Sequence, residues 1–309
     1  ASTLSKERTG DAGEISTVQG RPVFWLGSKK PEVVLLCHLD TVWPIGSFNP
    51  VWKVEGDIVR GPGIYDMKAG FIQALYSMKD LDRTRVALIA TTDEETGSAT
   101  TRKLIEEVSK IAKAVLVLES AIDGKLKVGR KGTSWYRITI YGRAAHAGLE
   151  PEKGVNATVE VARIVNELTK LENKSLGTSV VPTTMTSGTT TNTVPALATL
   201  DIDSRSFSLD EMQRIDSAIR SITPIHPDAR IEIAGGINRP PLETSATLPL
   251  YQLAEKLAKD AGISSLGSAS VGGASDGNFA GQFTQVLDGL GAVGDGAHAN
   301  HEHILASTL

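Results

Sequence analysis

Three carboxylates stand in a row, at Asp93, Glu94 and Glu95, directly behind the apolar run of residues 86–90. Acidic side chains are almost never fully buried unless something compensates their charge. Side by side they repel one another unless a cation or protons neutralise them. The triplet is therefore either a solvated acidic turn at the end of a strand or part of a cation site.

Two further apolar runs also end in side chains that could bind a metal ion. Residues 33–37 lead into His38 and Asp40, and residues 114–118 lead into Glu119. Near-continuous Val, Leu and Ile runs are typical of strands that are covered on both faces. The sequence therefore predicts three buried strands, each followed by residues of metal-binding type.

Helical patterns separate these predicted strands. Residues 67–81 and 100–111 are helix candidates, and the second places Leu104, Val108 and Ile111 at helical intervals. The alternation predicts an α/β fold, with one sheet and helices on both faces. In such sheets ligands gather at the carboxyl ends of the strands. We therefore expect the polar residues to share one edge, which favours the cation site over the solvated turn.

The middle of the chain predicts a second domain that is inserted within the first. Residues 125–236 follow the order β-α-β-β-α-β, which is that of a ferredoxin-like α+β fold. The Gly- and Pro-containing stretch 235–243 predicts the return linker. Residues 1–124 and 237–309 should then form the discontinuous metal-binding catalytic domain.

Composition and charge narrow the class of protein. The 309 residues carry a net charge of −4, which argues against nucleic-acid or membrane-surface binding. No apolar run approaches the ~18 residues that span a bilayer. The single cysteine, Cys37, excludes an intrachain disulfide, and its place in an apolar run predicts a buried structural thiol. The default expectation is a soluble cytoplasmic protein.

The candidate ligands contain imidazoles and carboxylates without thiolates. This set suits Zn²⁺ in hydrolytic sites, or alternatively Mn²⁺ or Co²⁺. Two-metal hydrolases use a carboxylate that bridges both ions. Adjacent glutamates fit such a site, because one can bind metal while its neighbour accepts the proton of the attacking water. The candidates are His38, Asp66, Glu94 or Glu95, Glu119, and a histidine within residues 296–303.

Several motifs, in the same order along residues 33–304, resemble those of the M20 metallopeptidase family, and the glutamate carboxypeptidase branch is the most similar. The resemblance implies a zinc-peptidase-type sheet with helices on both faces, together with an inserted lid and dimerisation domain. It also implies a homodimer, and we expect the strand that leads to His146 to pair with its twin across a two-fold axis. The motifs are HLDTV, GPGIYDMKAG, TTDEETGS, GRAAHAG and GAHANHE.

The resemblance implies two Zn²⁺ ions per subunit and a role for each candidate ligand. The family pattern of a histidine a few residues before a glutamate selects His298 rather than His301 or His303. In this assignment His38 and Glu119 bind one ion, Glu95 and His298 bind the other, and Asp66 bridges both.

Two further catalytic roles follow from the same resemblance. Glu94 resembles the general base of the family. Asp40 resembles the carboxylate that orients His38, in line with the rule that a metal-bound histidine gives its other N–H to an oxygen partner.

The inserted domain supplies three more candidates. His146 resembles the histidine that reaches the active site of the other subunit, where it would stabilise the oxyanion. Asn192 and Arg205 resemble the site for the substrate carboxylate, and a guanidinium fork suits a carboxylate physically. The alternatives are a surface histidine, a turn asparagine before Pro195 and a surface arginine.

The predicted activity is a dinuclear zinc amide hydrolase that releases a C-terminal, glutamate-like amino acid from small peptides or N-acyl amino acids. One alternative is an N-acyl amino acid deacylase of the acetylornithine deacetylase or succinyl-diaminopimelate desuccinylase type. Another is an inactive metal-binding relative.

The chain departs from the family pattern in length. Only 37 residues precede His38, and the sequence stops at Leu309, whereas family members usually extend further at both ends. We therefore expect a shortened sequence, in which an export signal would be hidden.

Overall fold

The computed structural model describes residues 1–263 and 265–309. The chain forms two compact units. The larger unit combines residues 1–130 with residues 242–309, and the smaller unit is residues 131–241. Among the described helices, none has the length and apolar character that crossing a membrane requires.

The helices and strands are numbered in chain order. The larger unit begins with α1 (Ser2–Thr9), β1 (Glu14–Val18), β2 (Arg21–Gly27), β3 (Val33–His38), β4 (Lys53–Glu55), β5 (Ile58–Arg60), α2 (Ala69–Met78), β6 (Val86–Thr91), α3 (Arg102–Ile111), β7 (Ala114–Val117) and β8 (Leu126–Arg130). The smaller unit contains β9 (Gly132–Tyr141), α4 (Ala157–Leu168), β10 (Ser179–Ser187), β11 (Leu197–Ser206), α5 (Leu209–Arg220) and β12 (Arg230–Arg239). The larger unit then continues with α6 (Thr244–Asp260), β13 (Ser268–Val271), α7 (Gly277–Ala280), β14 (Gln285–Leu287), β15 (Gly294–Asp295) and β16 (His303–Leu305).

The central sheet of the larger unit has the strand order β1-β2-β6-β3-β7-β14. β3 is parallel to both of its neighbours, β6 and β7. Its residues alternate between two apolar clusters, with Val34 and Leu36 in one and Leu35 and Cys37 in the other. The prediction of strands covered on both faces is confirmed, and Cys37 is a buried thiol.

Helix α2 begins two residues later than the predicted residue 67. A single π-helical turn, Ile64–Lys68, precedes it, and Asp66 there has a non-helical φ of −120°. Gly63 allows this turn, because its φ is +68° and a Cβ at this position would meet Thr41 Cγ2 at 2.2 Å. The helix begins late because the chain first makes a bend that carries Asp66.

The smaller unit has the predicted β-α-β-β-α-β order. Its four antiparallel strands lie in the order β10-β11-β9-β12, and side chains of α4 and α5 share one apolar cluster with them. The side chains of Asn156 and Ser208 cap the first turns of these two helices. The ferredoxin-like prediction is therefore confirmed.

The expected pairing of the strand before His146 with its twin is wrong. This strand is β9, and it already pairs with β11 on one side and with β12 on the other. A strand with both edges occupied cannot add another. The sheet edges of the smaller unit are β10 and β12.

The boundaries between the two units lie a few residues away from the predicted domain boundaries. β8 pairs with β13, and Arg130 exchanges backbone hydrogen bonds with Leu242, so the larger unit extends to residue 130. β12 runs to Arg239, through the start of the predicted linker. Gly235 lies within that strand. The position requires glycine, because a Cβ there would meet the Trp135 carbonyl oxygen at 2.1 Å. Glycine marks close backbone approach here rather than a loop.

Candidate active site

The candidate metal ligands of the larger unit lie together at the carboxyl ends of the central strands, as the sequence predicts. His38 is the last residue of β3, the acidic triplet follows β6, and Glu119 lies just beyond β7. These three strands are neighbours in the order β6-β3-β7, so their carboxyl ends are adjacent. A cavity of about 570 Å³ opens at this edge. Its lining includes Asp66, Glu94, Glu95, Glu119 and His298.

Asp66 lies between two groups of side chains. Its Oδ1 is 3.1 Å from His38 Nε2, and its Oδ2 is 3.5 Å from His298 Nε2. His38 Nε2 is also 3.6 Å from Glu119 Oε1. His298 Nε2 is 3.0 Å from Glu95 Oε2. One carboxylate therefore faces a histidine–glutamate pair on each side.

Asp40 lies beside the Nδ1 atom of the His38 ring. His38 Nδ1 lies 3.2 Å from the Asp40 carbonyl oxygen and 3.4 Å from Asp40 Oδ1. The other carboxylate oxygen of Asp40 accepts a hydrogen bond from the Glu95 backbone N–H at 3.0 Å. When the Nδ1 proton is donated to Asp40, Nε2 presents its lone pair to Asp66 and Glu119. A positive charge must then lie between Nε2 and these carboxylates, and either a metal ion or a proton can supply it. Burial alone would lower the pKa of His38, but its hydrogen bonds to Asp40 and Asp66 raise it, so the ring is protonated when no metal ion is bound.

The pKa shifts reflect this crowding. Burial, with repulsion from Asp66, raises the pKa of Glu95 to about 7. Burial likewise raises the pKa of Glu119. The hydrogen bond to Asp66 raises the pKa of His298 to about 9. Burial opposes ionisation of Asp66 too, but hydrogen bonds from His298 and His38 lower its pKa. These carboxylates stay ionised together only when positive charge lies among them.

The donor set fits a divalent cation. Imidazole nitrogens and carboxylate oxygens are the ligands that Zn²⁺ and Mn²⁺ accept in hydrolytic sites. One ligand atom each from His38, Asp66 and Glu95 lie within 4.8 Å of one another. Among the described residues, the buried Glu95 Oε1 has no hydrogen-bond partner. An unpaired buried carboxylate oxygen is costly unless a cation meets it.

The acidic triplet divides into residues with different surroundings. Asp93 is buried and accepts hydrogen bonds from the backbone N–H groups of Thr100 and Thr101, at 2.9 and 3.2 Å, and from both threonine hydroxyls. Hydrogen bonds from the residues just before α3 therefore stabilise the negative charge of Asp93. Glu94 and Glu95 instead lie in the short turn Glu94–Thr96 and line the cavity. One carboxylate of the three stabilises the fold, and two face the site.

The structure adds two buried cations that the sequence pattern did not single out. Lys127 Nζ is 3.8 Å from Glu119 Oε2, and Arg130 is 3.4 Å from the same oxygen. Arg130 also donates two hydrogen bonds to the Asp288 carboxylate, at 2.7 and 3.1 Å, and donates to the backbone carbonyls of Gly273 and Ala274. Both cations line the cavity. Nothing in the spacing of β8 marks them, because only its pairing with β13 fixes their place.

The remaining candidates lie in the smaller unit, where His146 and Asn192 are neighbours. The Ala147 N–H donates to the Asn192 carbonyl at 2.9 Å. His146 is exposed, and its Nδ1 accepts hydrogen bonds from the backbone N–H groups of Gly148 and Leu149, at 3.1 and 3.2 Å. An accepting Nδ1 leaves the proton on Nε2. His146 therefore presents an N–H donor away from its own loop.

Arg205 already holds a carboxylate. Its Nε and one terminal nitrogen bind the two oxygens of Asp203, at 2.9 and 3.1 Å. Both residues lie on one face of β11, two positions apart. A substrate carboxylate would have to replace or share this internal partner.

A family described as "Peptidase dimerisation domain" matches residues 128–226 of this chain. Among proteins of known name, carboxypeptidase G2 from Pseudomonas sp. (strain RS-16) is 32% identical over 284 residues, which cover 87% of this chain and 68% of that protein. Succinyl-diaminopimelate desuccinylase from Gluconacetobacter diazotrophicus is 27% identical over 315 residues, with 92% of this chain and 79% of that protein covered.

Solved structures share the fold at lower identity. Aminopeptidase PepT from Bacillus cereus superimposes with a TM-score of 0.76 at 19% identity, over 99% of this chain and 88% of that one. The YXEP protein of Bacillus subtilis, described as a dinuclear metal-binding peptidase of the M20 family, gives a TM-score of 0.66 at 16% identity. That alignment covers 99% of this chain and 86% of the other.

Proposed function

The chain belongs to the M20 family of metallopeptidases and is a metal-dependent hydrolase, and we propose that it releases a C-terminal, glutamate-like amino acid from N-acyl or peptide substrates. The similarity to carboxypeptidase G2 favours this substrate class. The observation that carries the proposal is the position of Asp66 between His38 and His298. A shared carboxylate with a histidine on each side is the arrangement that two adjacent ions require.

We assign the five candidate ligands to two ions, with Zn²⁺ the first choice and Mn²⁺ or Co²⁺ possible substitutes. His38 and Glu119 would hold one ion, Glu95 and His298 the other, and Asp66 would contact both. Bound divalent ions would supply Lewis acidity, which polarises the amide carbonyl and makes water more acidic.

Glu94 is the proposed general base. It lines the cavity beside Glu95, and the turn that carries both is tied to Asp40 through the Glu95 N–H. Its carboxylate would accept the proton of the attacking water and then deliver it to the leaving amine. Asp40 would keep the His38 ring in the ligating orientation.

Two cationic side chains are candidates for binding the substrate carboxylate. Arg205, with Asn192 in the same unit, is the candidate implied by the resemblance. Lys127 is the candidate that the cavity suggests, because its ammonium group lies beside Glu119 in the lining. We propose Arg205 as the anchor, with Asp203 as the carboxylate that it exchanges for substrate.

The Arg205→Lys variant should lose about 10- to 100-fold in kcat/KM on substrates with a free C-terminal carboxylate, because an ammonium group cannot form the two parallel hydrogen bonds of the guanidinium. The loss should shrink on the corresponding C-terminal amides. Steady-state kinetics on acid and amide pairs measures the difference. Arg137→Lys is the matched control, because Arg137 forms the same two-bond pair with Asp201 in the same sheet.

Equal losses on acids and amides would mean that Arg205 is structural. Lys127→Met then becomes the informative variant. A selective loss on acids in Lys127→Met, with none in Arg205→Lys, would assign the carboxylate to Lys127.

The alternative activity is deacylation of an amino-acid biosynthetic intermediate, which the 27% identity to a succinyl-diaminopimelate desuccinylase favours. A panel of N-acyl amino acids that includes acyl-glutamates, acetylornithine and succinyl-diaminopimelate separates the two activities. We expect kcat/KM to be highest for acyl-glutamates. Bound metal without turnover on any member would instead point to an inactive relative.

The proposed assembly is a homodimer through the smaller unit, which contains most of the matched dimerisation domain. Of the described strands in that sheet, β10 and β12 are the edges at which a twin strand could add. The cytoplasmic location stays a prediction.

A further inference from the structure

Glu302 is a buried carboxylate, 1% exposed, that accepts four N–H hydrogen bonds. Oε1 accepts from the backbone N–H groups of Tyr65 and Asp66, at 3.0 and 3.1 Å. Oε2 accepts from the Gly63 N–H at 2.9 Å and from the Trp43 indole at 3.3 Å. Three of these donors belong to the bend that carries Asp66.

The same side chain connects three segments that bear candidate ligands. Trp43 lies a few residues after His38, and the bend carries Asp66. The third segment is its own loop, where the Glu302 N–H donates to the Ala299 carbonyl at 2.9 Å and His298 has a left-handed φ of 62°. The contact partners are up to 259 positions apart in the chain, so local structure does not bring them together.

We propose that Glu302 is a positioning residue that holds Asp66 in place between the two histidines. This inference rests on the proposed metal-binding role of Asp66. The Asp66 side chain must meet His38 on one side and His298 on the other, and its backbone is fixed by a bond from its own N–H to Glu302. Without that bond the bend gains freedom, and the shared carboxylate no longer keeps both distances at once.

A carboxylate is the side chain that satisfies this cluster. All four partners are donors, and an ionised glutamate offers only acceptors. A glutamine would place its NH₂ group against two N–H donors, whichever way the amide is turned. The change to glutamine therefore breaks two of the four contacts while it keeps the size of the side chain.

The test is a zinc titration of chelator-treated protein against a chromophoric competitor. Glu302→Gln should bind at least one of the two ions about 10- to 100-fold more weakly than the parent chain. Circular dichroism should show the same fold. Glu160→Gln is the matched control, because Glu160 is another buried carboxylate that accepts two backbone N–H bonds, from Ile225 and His226, in the smaller unit. Its zinc affinity should equal that of the parent.

A double-mutant cycle distinguishes positioning from general destabilisation. In an Asp66→Asn background, Glu302→Gln should add little further loss of zinc affinity, because both changes act through the same group. Additive losses would contradict the proposal. If Glu302→Gln does not fold, Trp43→Phe removes one donor and keeps the ring next to Phe48. That variant should weaken zinc binding about two- to tenfold, and unchanged affinity would overturn the proposal.

The outcomes separate this inference from the proposed function. A folded parent chain that binds neither zinc nor manganese nor cobalt would refute the proposed two-ion site itself. A parent chain that binds two ions, with a folded Glu302→Gln variant that binds both at parental affinity, would refute only the positioning role.

Discussion

The Glu94→Gln variant should bind as many divalent ions as the parent chain and turn over substrate at least about 100-fold more slowly. Glutamine keeps the size of the side chain and removes the proton acceptor. The assigned ligands are unchanged, because the glutamate assigned as a ligand is Glu95, which contacts His298. Elemental analysis gives the metal content, and kcat on an N-acyl glutamate gives the rate.

The neighbouring variant Glu95→Gln is the matched control. It makes the same chemical change one position further along the same short turn. We expect it to lose metal as well as activity, because it removes a ligand charge. A Glu94→Gln variant that works at nearly the parent rate would show that Glu94 is not the base. Loss of metal from that variant would identify Glu94 as a ligand instead.

The His146→Ala variant should lower kcat by about 10²- to 10³-fold, the usual effect of removing one oxyanion donor. Two backbone N–H bonds to Nδ1 leave the Nε2 proton for donation. Because His146 belongs to the smaller unit and the assigned metal ligands all belong to the larger unit, metal content should not change. Steady-state kinetics and elemental analysis of the purified variant check both statements.

Mixing the two inactive variants tests whether His146 acts in the partner subunit. A mixed dimer of Glu94→Gln and His146→Ala subunits would contain one complete site if the histidine is donated across the dimer. Random subunit exchange should then restore up to about a quarter of the parent activity. The absence of recovery, in a mixture that sedimentation shows to be exchanging dimers, would exclude the action in trans. A parent chain that is fully active as a monomer would exclude it as well.

The sheet could be predicted because its central strands have a clear sequence pattern. β3, β6 and β7 are nearly continuous apolar runs, and buried parallel strands leave this signature. The start of α2 could not be predicted to the residue, because the bend around Asp66 depends on its tertiary partners, including Glu302. The helix propensity of residues 67–81 carries no information about these tertiary partners.

The smaller unit shows a similar limit. The order of its strands and helices could be predicted from alternating polar and apolar residues and from apolar residues at helical spacing. The end of β12 could not be predicted from these patterns. The sequence predicts that Gly235 and Gly236 begin a linker, whereas they pair with Tyr136 and Trp135 inside the sheet. A glycine that permits close approach of two strands and a glycine that permits a turn are the same letter in the sequence.

The site was predictable where ligands follow strands, and unpredictable where long-range packing decides. His38, Glu119 and the adjacent glutamates Glu94 and Glu95 could be found as candidates from their positions at strand ends, whereas only the resemblance selected Glu95 as the ligand. Glu302 and Arg130 could not, because their roles depend on partners more than 150 positions away in the chain, at Asp66 and Asp288. The sequence showed only that a glutamate follows a histidine in a family motif, and nothing in the spacing marked Arg130.

Metal-dependent hydrolysis is the central claim, and a zinc titration of the chelator-treated chain tests it most directly. Hydrolysis of an N-acyl glutamate should be absent without metal, and it should be restored as zinc approaches two ions per chain. The Asp66→Ala variant should stay inactive across the same titration. Hydrolysis that persists at full rate without metal, or a folded chain that binds neither zinc nor manganese nor cobalt, would contradict the account.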